Sequence, residues 1–207
     1  MPRRLLTFIG NDAFESCSSL QQISIPDSVT SIGNGAFYGC KSLQQIRIPH
    51  NIKNIGANPF AGCTCTIISE SPKYKVIDNL LIDIHSGILI SCPSNNTICS
   101  IPNVVISIGD SAFKSCESLQ QIRIPGSVTS IGDSAFWRCE SLQQIRIPDS
   151  VTSIGNGAFY GCKSLQQITI PDSVTSIGDS AFWSYKSLQQ IIVSSNSYDS
   201  INLNYSY

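Results

Sequence analysis

The sequence is poor in charged residues. Asp, Glu, Lys and Arg make up only 13% of its 207 residues, the formal net charge is −1, and the sequence pI is about 6.1. A protein that binds nucleic acid or an anionic membrane through surface charge carries a basic patch or an excess of Lys and Arg. We therefore predict neither partner, and we expect solubility to rest on the frequent Ser, Thr, Asn and Gln side chains.

Long apolar runs are also missing. No run approaches the roughly 20 residues that span a bilayer, so no membrane insertion is predicted. The apolar stretch that follows Arg3 and Arg4 is too short for the core of a signal peptide. We expect either an intracellular protein or one whose leader and further repeats lie outside this chain.

Residues suited to catalysis are scarce. His50 and His85 are the two histidines of the chain, and neither lies in a nucleophile or metal-ligand motif. The glycines are dispersed, so no glycine-rich phosphate loop is formed. The sequence predicts no enzyme and no cofactor.

Cysteine is common, but its spacing is not that of a metal site. The chain has nine cysteines and no C-x-x-C pair; Cys63 and Cys65 form a C-x-C, and Cys92 and Cys99 flank a loop. Six of the nine, Cys63 among them, recur at one position of a repeat, where they are expected to be small apolar core residues with free thiols. A Cys92–Cys99 disulfide is the alternative, and a metal site is disfavoured.

The dominant feature of the sequence is a repeat of 23 residues. The unit at 151–173 reads VTSIGNGAFYGCKSLQQITIPDS, and related units occur along the chain. Each unit has a marker Phe with Gly four residues before it, and six of the seven have Cys three residues after it. The marker residues are Phe14, Phe37, Phe60, Phe113, Phe136, Phe159 and Phe182. A glycine required once per unit indicates either positive φ or close approach of another segment.

Each unit predicts one coil of a solenoid. SLQQIRIP, with its apolar Leu, Ile and Ile and its closing Pro, is typical of a short strand with one face inward. VTSIG is a second short extended piece, and NGAFYGC is a tight or 3₁₀-like turn. One coil buries too little apolar surface to fold alone, so coils must stack. We predict a single, mainly β, right-handed solenoid domain of about eight coils over residues 1–207.

The middle of the chain departs from the repeat. Regular coils are predicted at 6–63 and 105–193, with one expanded coil at 64–104 and a non-repeat tail at 194–207. LLID and ILIS flank the segment from Ile84 to Gly87 and predict a β-hairpin. We expect the hairpin to protrude from the expanded coil. The alternative is that this coil marks a boundary between two sub-solenoids.

Two rows of outward residues follow the SLQQIRIP strands. The second Gln and the residue before the last Ile are expected on the concave face. One interpretation is an amide ladder that stabilises stacking and keeps the sheet soluble. The other is recognition of an acidic partner through the forked hydrogen bonds of Arg. The candidate binding residues of this face are Gln121, Gln144, Gln167, Arg47, Arg123 and Arg146.

The residue after each marker Phe is expected on the outer flank. It is aromatic in four units, as Tyr38, Trp137, Tyr160 and Trp183, and Tyr185 lies nearby in sequence. Surface aromatics are enriched at binding hot spots, which makes these residues candidates for partner binding. Alternatively, the rings lie flat over the turns and seal the core.

One segment of the chain resembles the BspA-like, or Treponema pallidum-type, leucine-rich repeats; it reads SLQQIRIPDSVTSIGNGAFYGC. In that class L-x-x-I-x-I-P leads into V-x-x-I-G-x-x-A-F-x-x-C, and the likeness covers about residues 6–193. The expanded coil resembles the family's inserted hairpin, whose Y-x-V-x-D-x-x-L pattern fits Tyr74, Val76, Asp78 and Leu81. The resemblance implies a leucine-rich-repeat solenoid.

The same resemblance implies a role in binding. Proteins of this family are typically found at the cell surface or secreted. The resemblance therefore implies a non-enzymatic adhesion module that binds host extracellular-matrix or cell-surface proteins. The alternative is a structural solenoid that self-associates end to end, through uncapped ends or through the aromatic residues.

Overall fold

The structure, a computed structural model, describes residues 5–93, 95–183 and 188–193. The predicted repeat solenoid is confirmed: the chain forms a β-solenoid of about eight turns, and no helix occurs within the described ranges. The predicted tail at 194–207 and Tyr185 lie outside the described residues. The strands are β1 (Phe8–Ile9), β2 (Ser31–Ile32), β3 (Gln45–Ile48), β4 (Asn54–Ile55), β5 (Thr66–Ser69), β6 (Tyr74–Ile77), β7 (Leu80–Asp83), β8 (Ile88–Ser91), β9 (Ile98–Ser100), β10 (Ser107–Ile108), β11 (Gln121–Arg123), β12 (Ser130–Ile131), β13 (Gln144–Arg146), β14 (Ser153–Ile154), β15 (Gln167–Ile170), β16 (Ser176–Ile177) and β17 (Gln190–Val193).

Regular coils place parallel strands on two walls. The SLQQIRIP strands β3, β11, β13, β15 and β17 form the glutamine face, together with β5 and β9, which pair with β3 and β11. The VTSIG strands form the Thr-Ser wall, where like residues stand opposite one another, as in the pair Ser130 and Ser153. Because the register equals the repeat length, every strand places its apolar side chains on those of the neighbouring coil.

The core is the stack of inward positions predicted from the repeat. In the coil that begins at Val151 the inward side chains are all buried; they are Val151, Ile154, Ala158, Phe159, Cys162, Leu165, Ile168 and Ile170. The marker rings lie parallel, with centroids 5.0 Å apart between Phe113 and Phe136 and 5.2 Å apart between Phe136 and Phe159. Stacking therefore buries the faces that a single coil leaves exposed.

The recurrent glycine is required by close approach. A Cβ on Gly155 would lie 2.5 Å from the backbone nitrogen of Asp133 and 2.6 Å from the carbonyl carbon of Gly132, in the coil before it. Its φ is not in the left-handed region. Of the two explanations that the sequence left open, positive φ is therefore wrong and close approach is correct.

Positive φ occurs instead on both sides of the marker Phe. Around Phe136, for example, Ser134 has φ 54° and Arg138 has φ 57°. The N–H groups of Ser134, Phe136 and Arg138 donate to carbonyls of the next coil at 2.8, 2.7 and 2.8 Å. The predicted turn thus carries its own ladder of hydrogen bonds between coils, and we call this side the turn edge.

The hairpin in the expanded coil forms, but it does not protrude. β6 pairs antiparallel with β7, and β7 pairs antiparallel with β8. β8 in turn pairs in parallel with β10, so all three strands belong to the Thr-Ser wall. Every residue of β7 is buried. The prediction of a protruding hairpin is wrong because both faces of β7 carry apolar side chains that need cover.

The core divides at β7. Leu80 and Ile82 belong to a buried cluster that continues to Ala181, whereas Leu81 belongs to a second cluster that reaches back to Ile9. Successive side chains of a strand point to opposite faces, which is how one strand serves two clusters. The apolar core is therefore divided within the expanded coil, as the alternative prediction of a boundary proposed. The Thr-Ser wall is not divided between the hairpin and the coil that follows, because β8 pairs with β10.

Two polar side chains make long-range hydrogen bonds around the expanded coil. The hydroxyl of the buried Tyr74 donates to the carbonyl of Lys53 and accepts the N–H of Ile55, which completes the edge of β4. The amide of the buried Asn58 donates to the carbonyls of Ser111 and Ala112 at 2.5 and 3.2 Å. The sequence pattern included Tyr74 but did not indicate its bonds, and it did not indicate Asn58 at all, since each side chain acts through a partner distant in sequence.

Candidate functional site

Three aromatic side chains form a row along the turn edge. The rings of Trp137 and Tyr160 are stacked, with centroids 3.9 Å apart and planes 11° apart. Tyr160 and Trp183 follow at 5.2 Å with a tilt of 37°. Trp137 and Tyr160 are half-buried, and Trp183 is 51% exposed. We call these three residues the aromatic row.

The row both covers the turns and faces outward. A Cβ on Gly157 would come within 3.1 Å of Cζ3 of Trp137, so the indole lies directly over the backbone of the next coil. The stacked rings thus seal part of the turn edge, as one interpretation of the sequence predicted. Their outer faces and the exposed indole of Trp183 stay accessible, so the geometry accommodates both interpretations.

Tyr38 is separate from the aromatic row. The coil that follows it has Ala61 at the same repeat position, and the next regular coil has Lys114. The Nζ of Lys114 lies 5.0 Å from the centroid of the Tyr38 ring, and the Tyr38 hydroxyl lies 3.5 Å from Oγ of Ser115. Tyr38 therefore connects two regular coils across the expanded one, and part of its surface is used within the chain.

The glutamine face exposes the amides that the repeat predicted. Gln121 stands opposite Gln144, and Gln167 stands opposite Gln190. No hydrogen bond joins these side chains to one another within the residues that the structure describes, so the ladder interpretation is not supported by direct amide contacts. The first Gln of each QQ pair is exposed too, as at Gln143 and Gln166. The sequence analysis overlooked that first position, although the repeated QQ was a visible signal.

The arginines of this face fall into two classes. Arg47 forms an ion pair with Glu70 of the following coil, and this hydrogen bond holds the pKa of Glu70 below its ordinary value of 4.5. Arg123 and Arg146 stand directly opposite each other on β11 and β13, and both are exposed. No ion pair to either of them occurs in the described part of the chain. The structure therefore brings Arg123 and Arg146 together and places Arg47 elsewhere.

A groove opens beside Arg146, where β13 and β15 carry no pairing between them. Its volume is about 360 Å³, and Gln143, Gln144, Gln166, Gln167 and Thr169 are among its lining residues. Each Gln amide offers two donors and one acceptor oxygen. The groove is thus a polar cleft that can hydrogen-bond to donors and to acceptors of a ligand.

The cysteines lie in the core. All nine are within the described residues and none forms a disulfide, so Cys92 and Cys99 are not joined; all but Cys17 are buried. Cys139 and Cys162 donate to the carbonyls of Phe113 and Phe136 at 3.1 and 3.2 Å. Burial raises the pKa of Cys40 to about 11. Cys17 departs from the prediction because its coil, the first one described, has no coil before it to cover the thiol.

Groups for metal or acid–base chemistry are not brought together. No cluster of three His, Cys, Asp or Glu side chains suited to a metal ion occurs in the residues described. His50 has its Nδ1 3.2 Å from the carbonyl of Glu70, and His85 lies in the hairpin turn with its N–H bonded to Asp83. The described segments also contain no helix suited to spanning a membrane.

Solved structures of bacterial repeat proteins share this architecture. A leucine-rich cell surface protein from Faecalibacterium prausnitzii A2-165 is 35% identical, with a TM-score of 0.72 over 94% of this chain and 61% of that one. A leucine-rich repeat protein from Bacteroides ovatus ATCC 8483 is 29% identical, with a TM-score of 0.61 over 91% and 47%. The pneumococcal vaccine antigen PcpA shares the fold at 22% identity, with a TM-score of 0.79 over 91% and 48%.

The chain therefore spans about half to three-fifths of the length of these proteins. Among curated proteins no sequence matches it. The BspA type leucine rich repeat region matches it in 6 copies, over residues 7–99 and 82–205. The resemblance seen in the sequence is confirmed, and the chain belongs to the BspA-type leucine-rich repeat family.

Proposed function

We propose that this chain is a non-enzymatic protein-binding module that uses the aromatic row as an adhesion surface. The observation that carries the proposal is the stacked series Trp137, Tyr160 and Trp183 on the turn edge, with the last indole 51% exposed. Trp and Tyr are the residue types most enriched among binding hot spots, since they bury much apolar area and lose little side-chain entropy.

Rigidity of the row supports the same function. The turns that carry Trp137 and Tyr160 donate N–H groups to the next coil, and the carbonyl of Trp183 accepts the N–H of Gly161, so the spacing of the rings is set by the solenoid. A preorganised surface avoids much of the ordering cost that weakens binding by flexible side chains. The expected partner is a protein with an apolar, concave or flat epitope. A host extracellular-matrix or cell-surface protein is proposed, at the cell surface, because a relative at 35% identity is described as a cell surface protein.

Removing the row should weaken capture of the partner without unfolding the chain. We expect the triple variant Trp137→Ala, Tyr160→Ala and Trp183→Ala to lose roughly thirtyfold or more in affinity, since a single hot-spot aromatic contributes about 2 kcal/mol. The measurement is surface-plasmon binding to an immobilised extracellular-matrix extract, with circular dichroism to verify the fold.

A matched control is available on the Thr-Ser wall. Thr129, Thr152 and Thr175 are exposed and repeat at the same spacing, so their replacement by Ser keeps the hydroxyls and should leave capture unchanged. Equal capture by the aromatic variant and the wild type would remove the row as the binding surface.

A second candidate function is end-to-end self-association. It is favoured by the first described coil, where Leu5, Leu6 and Phe8 are 71%, 55% and 53% exposed. We expect the weight-average mass in light scattering to rise with concentration, and replacement of Leu6 and Phe8 by Ser to abolish the rise. A constant monomer mass at high concentration would contradict self-association.

A further inference from the structure

The pair Arg123 and Arg146 lacks the neutralisation that Arg47 has. Two like charges in direct register on neighbouring strands repel each other, yet no carboxylate of the described residues forms an ion pair with either guanidinium. At the same repeat position, Arg47 is paired with Glu70. The contrast indicates that the Arg123–Arg146 pair is suited to an anion supplied from outside the chain.

The groove next to Arg146 adds neutral Gln amides to the two charged guanidinium groups. Its Gln amides carry the same donors and acceptors as a peptide backbone, and no partner within the described chain takes them up. The cleft is lined by residues on or just before β13, β15 and β17, so it crosses neighbouring strands. A segment that lies in this cleft and continues across β13 towards β11 would come close to Arg146 and then to Arg123.

We propose that this part of the glutamine face binds an extended acidic segment of a protein. The Gln amides hydrogen-bond to the backbone of the segment, and the two guanidinium groups bind Asp or Glu carboxylates in forked pairs. Two arginines on a chain of net charge −1 provide a local site for a few carboxylates, whereas a sulfated polysaccharide needs a longer basic surface. The inference rests on the proposed protein-binding function and adds a partner class and a surface distinct from the aromatic row.

The test measures binding of a short fluorescein-labelled peptide of alternating Glu and Ser. Fluorescence anisotropy reports the binding at low and at high salt. Arg123→Gln and Arg146→Gln are each expected to weaken binding by about tenfold or more, since each removes a charge-assisted hydrogen bond to a carboxylate. Arg47→Gln is the matched control, and it should bind the peptide as the wild type does because Arg47 is already paired with Glu70. A peptide with Gln in place of Glu should not bind.

Three outcomes would overturn the proposal: no binding of the Glu peptide by the wild type, an equal loss in Arg47→Gln, or Arg-dependent binding of dextran sulfate in place of the peptide. The aromatic-row variant separates this proposal from the proposed function. It should still bind the peptide. Unchanged matrix-protein capture by this variant, together with Arg-dependent peptide binding, rejects only the aromatic row. Capture that depends on the aromatic row, together with no peptide binding by the wild type, rejects only the acidic-segment site.

Discussion

At the scale of single residues, the repeat is controlled by space between coils. The recurrent glycine lies where the backbone of the preceding coil leaves no room for a Cβ, as Gly155 shows against Asp133 and Gly132. Gly10 occupies the same repeat position, but the nearest group to its Cβ would be a ring atom of Phe8 at 3.7 Å. The same residue type is thus required in one coil and dispensable in another.

Gly155→Ala should therefore destabilise the protein while Gly10→Ala should not. We expect Gly155→Ala to lower the free energy of unfolding by about 1–3 kcal/mol, because the backbone contact has to shift. Urea denaturation followed by circular dichroism measures the change. Gly126→Ala is a further control, since nothing lies within 4 Å of its Cβ. Similar losses at Gly155 and Gly10 would show that conformational freedom, and not contact between coils, selects the glycine.

At the scale of elements, a buried carboxylate holds the hairpin of the expanded coil. Asp83 accepts the N–H groups of His85 and Ser86 at 3.0 and 3.3 Å, and its other oxygen lies 3.3 Å from Nζ of Lys73. Burial by itself would raise the pKa of Asp83, but these hydrogen bonds and the Lys73 charge hold it below the ordinary value of 3.8. The charged form is therefore the one that stabilises the hairpin.

The contribution of Asp83 should disappear in acid. A carboxyl whose pKa is lower in the folded state stabilises the protein above its unfolded pKa, and this stability is lost as the pH falls through the folded value. We expect Asp83→Asn to lower the melting temperature at pH 7 and the gap to the wild type to close progressively below about pH 4. Thermal unfolding from pH 7 to pH 2 measures the gap.

Glu70→Gln serves as the control for this experiment. Its pair with Arg47 is exposed, and exposed pairs contribute little, so the melting temperature of this variant should stay close to that of the wild type. A gap between Asp83→Asn and the wild type that stays constant with pH would contradict the role given to the carboxylate.

At the scale of the whole molecule, the expanded coil is a wedge. It adds β6, β7 and β8 to the Thr-Ser wall, whereas among the described residues of the turn edge a short segment around Cys92 lies between the coils of Asn58 and Ser111. A regular coil contributes one strand to this wall, so the expanded coil contributes two more than usual. These two strands lengthen the wall by about 10 Å. The core follows this division, with one apolar cluster on either side of β7.

Cavities on the two faces of β7 should loosen different parts of the chain. Leu81→Ala removes packing from the cluster that includes Phe37, and Ile82→Ala removes it from the cluster that includes Phe136. Each substitution should cost about 2–5 kcal/mol, and coils far from the cavity should feel it least because solenoid contacts are between neighbours. Hydrogen exchange with mass spectrometry should show faster exchange before β7 in the first variant and after it in the second. Uniform acceleration in both variants would mean that the clusters unfold as one unit.

The sequence by itself determined the repeat period, the inward residues, the two extended pieces and the family. Each of these depends on contacts between equivalent positions of neighbouring coils, so one coil such as that of Phe159 predicts the others. The hairpin was also predictable, because LLID, ILIS and the intervening Gly87 are local signals.

Only the tertiary structure decided how the irregular coil fits between the regular ones. Asn58 bonds to Ser111, Tyr38 contacts Lys114, and the hairpin strands join the wall instead of leaving it. It also decided that Arg47 has a carboxylate partner while Arg123 and Arg146 have each other, and that the sheet opens between β13 and β15. The physical reason is that a periodic pattern specifies contacts one repeat apart. Contacts across an interruption depend on where long-range packing places each chain segment.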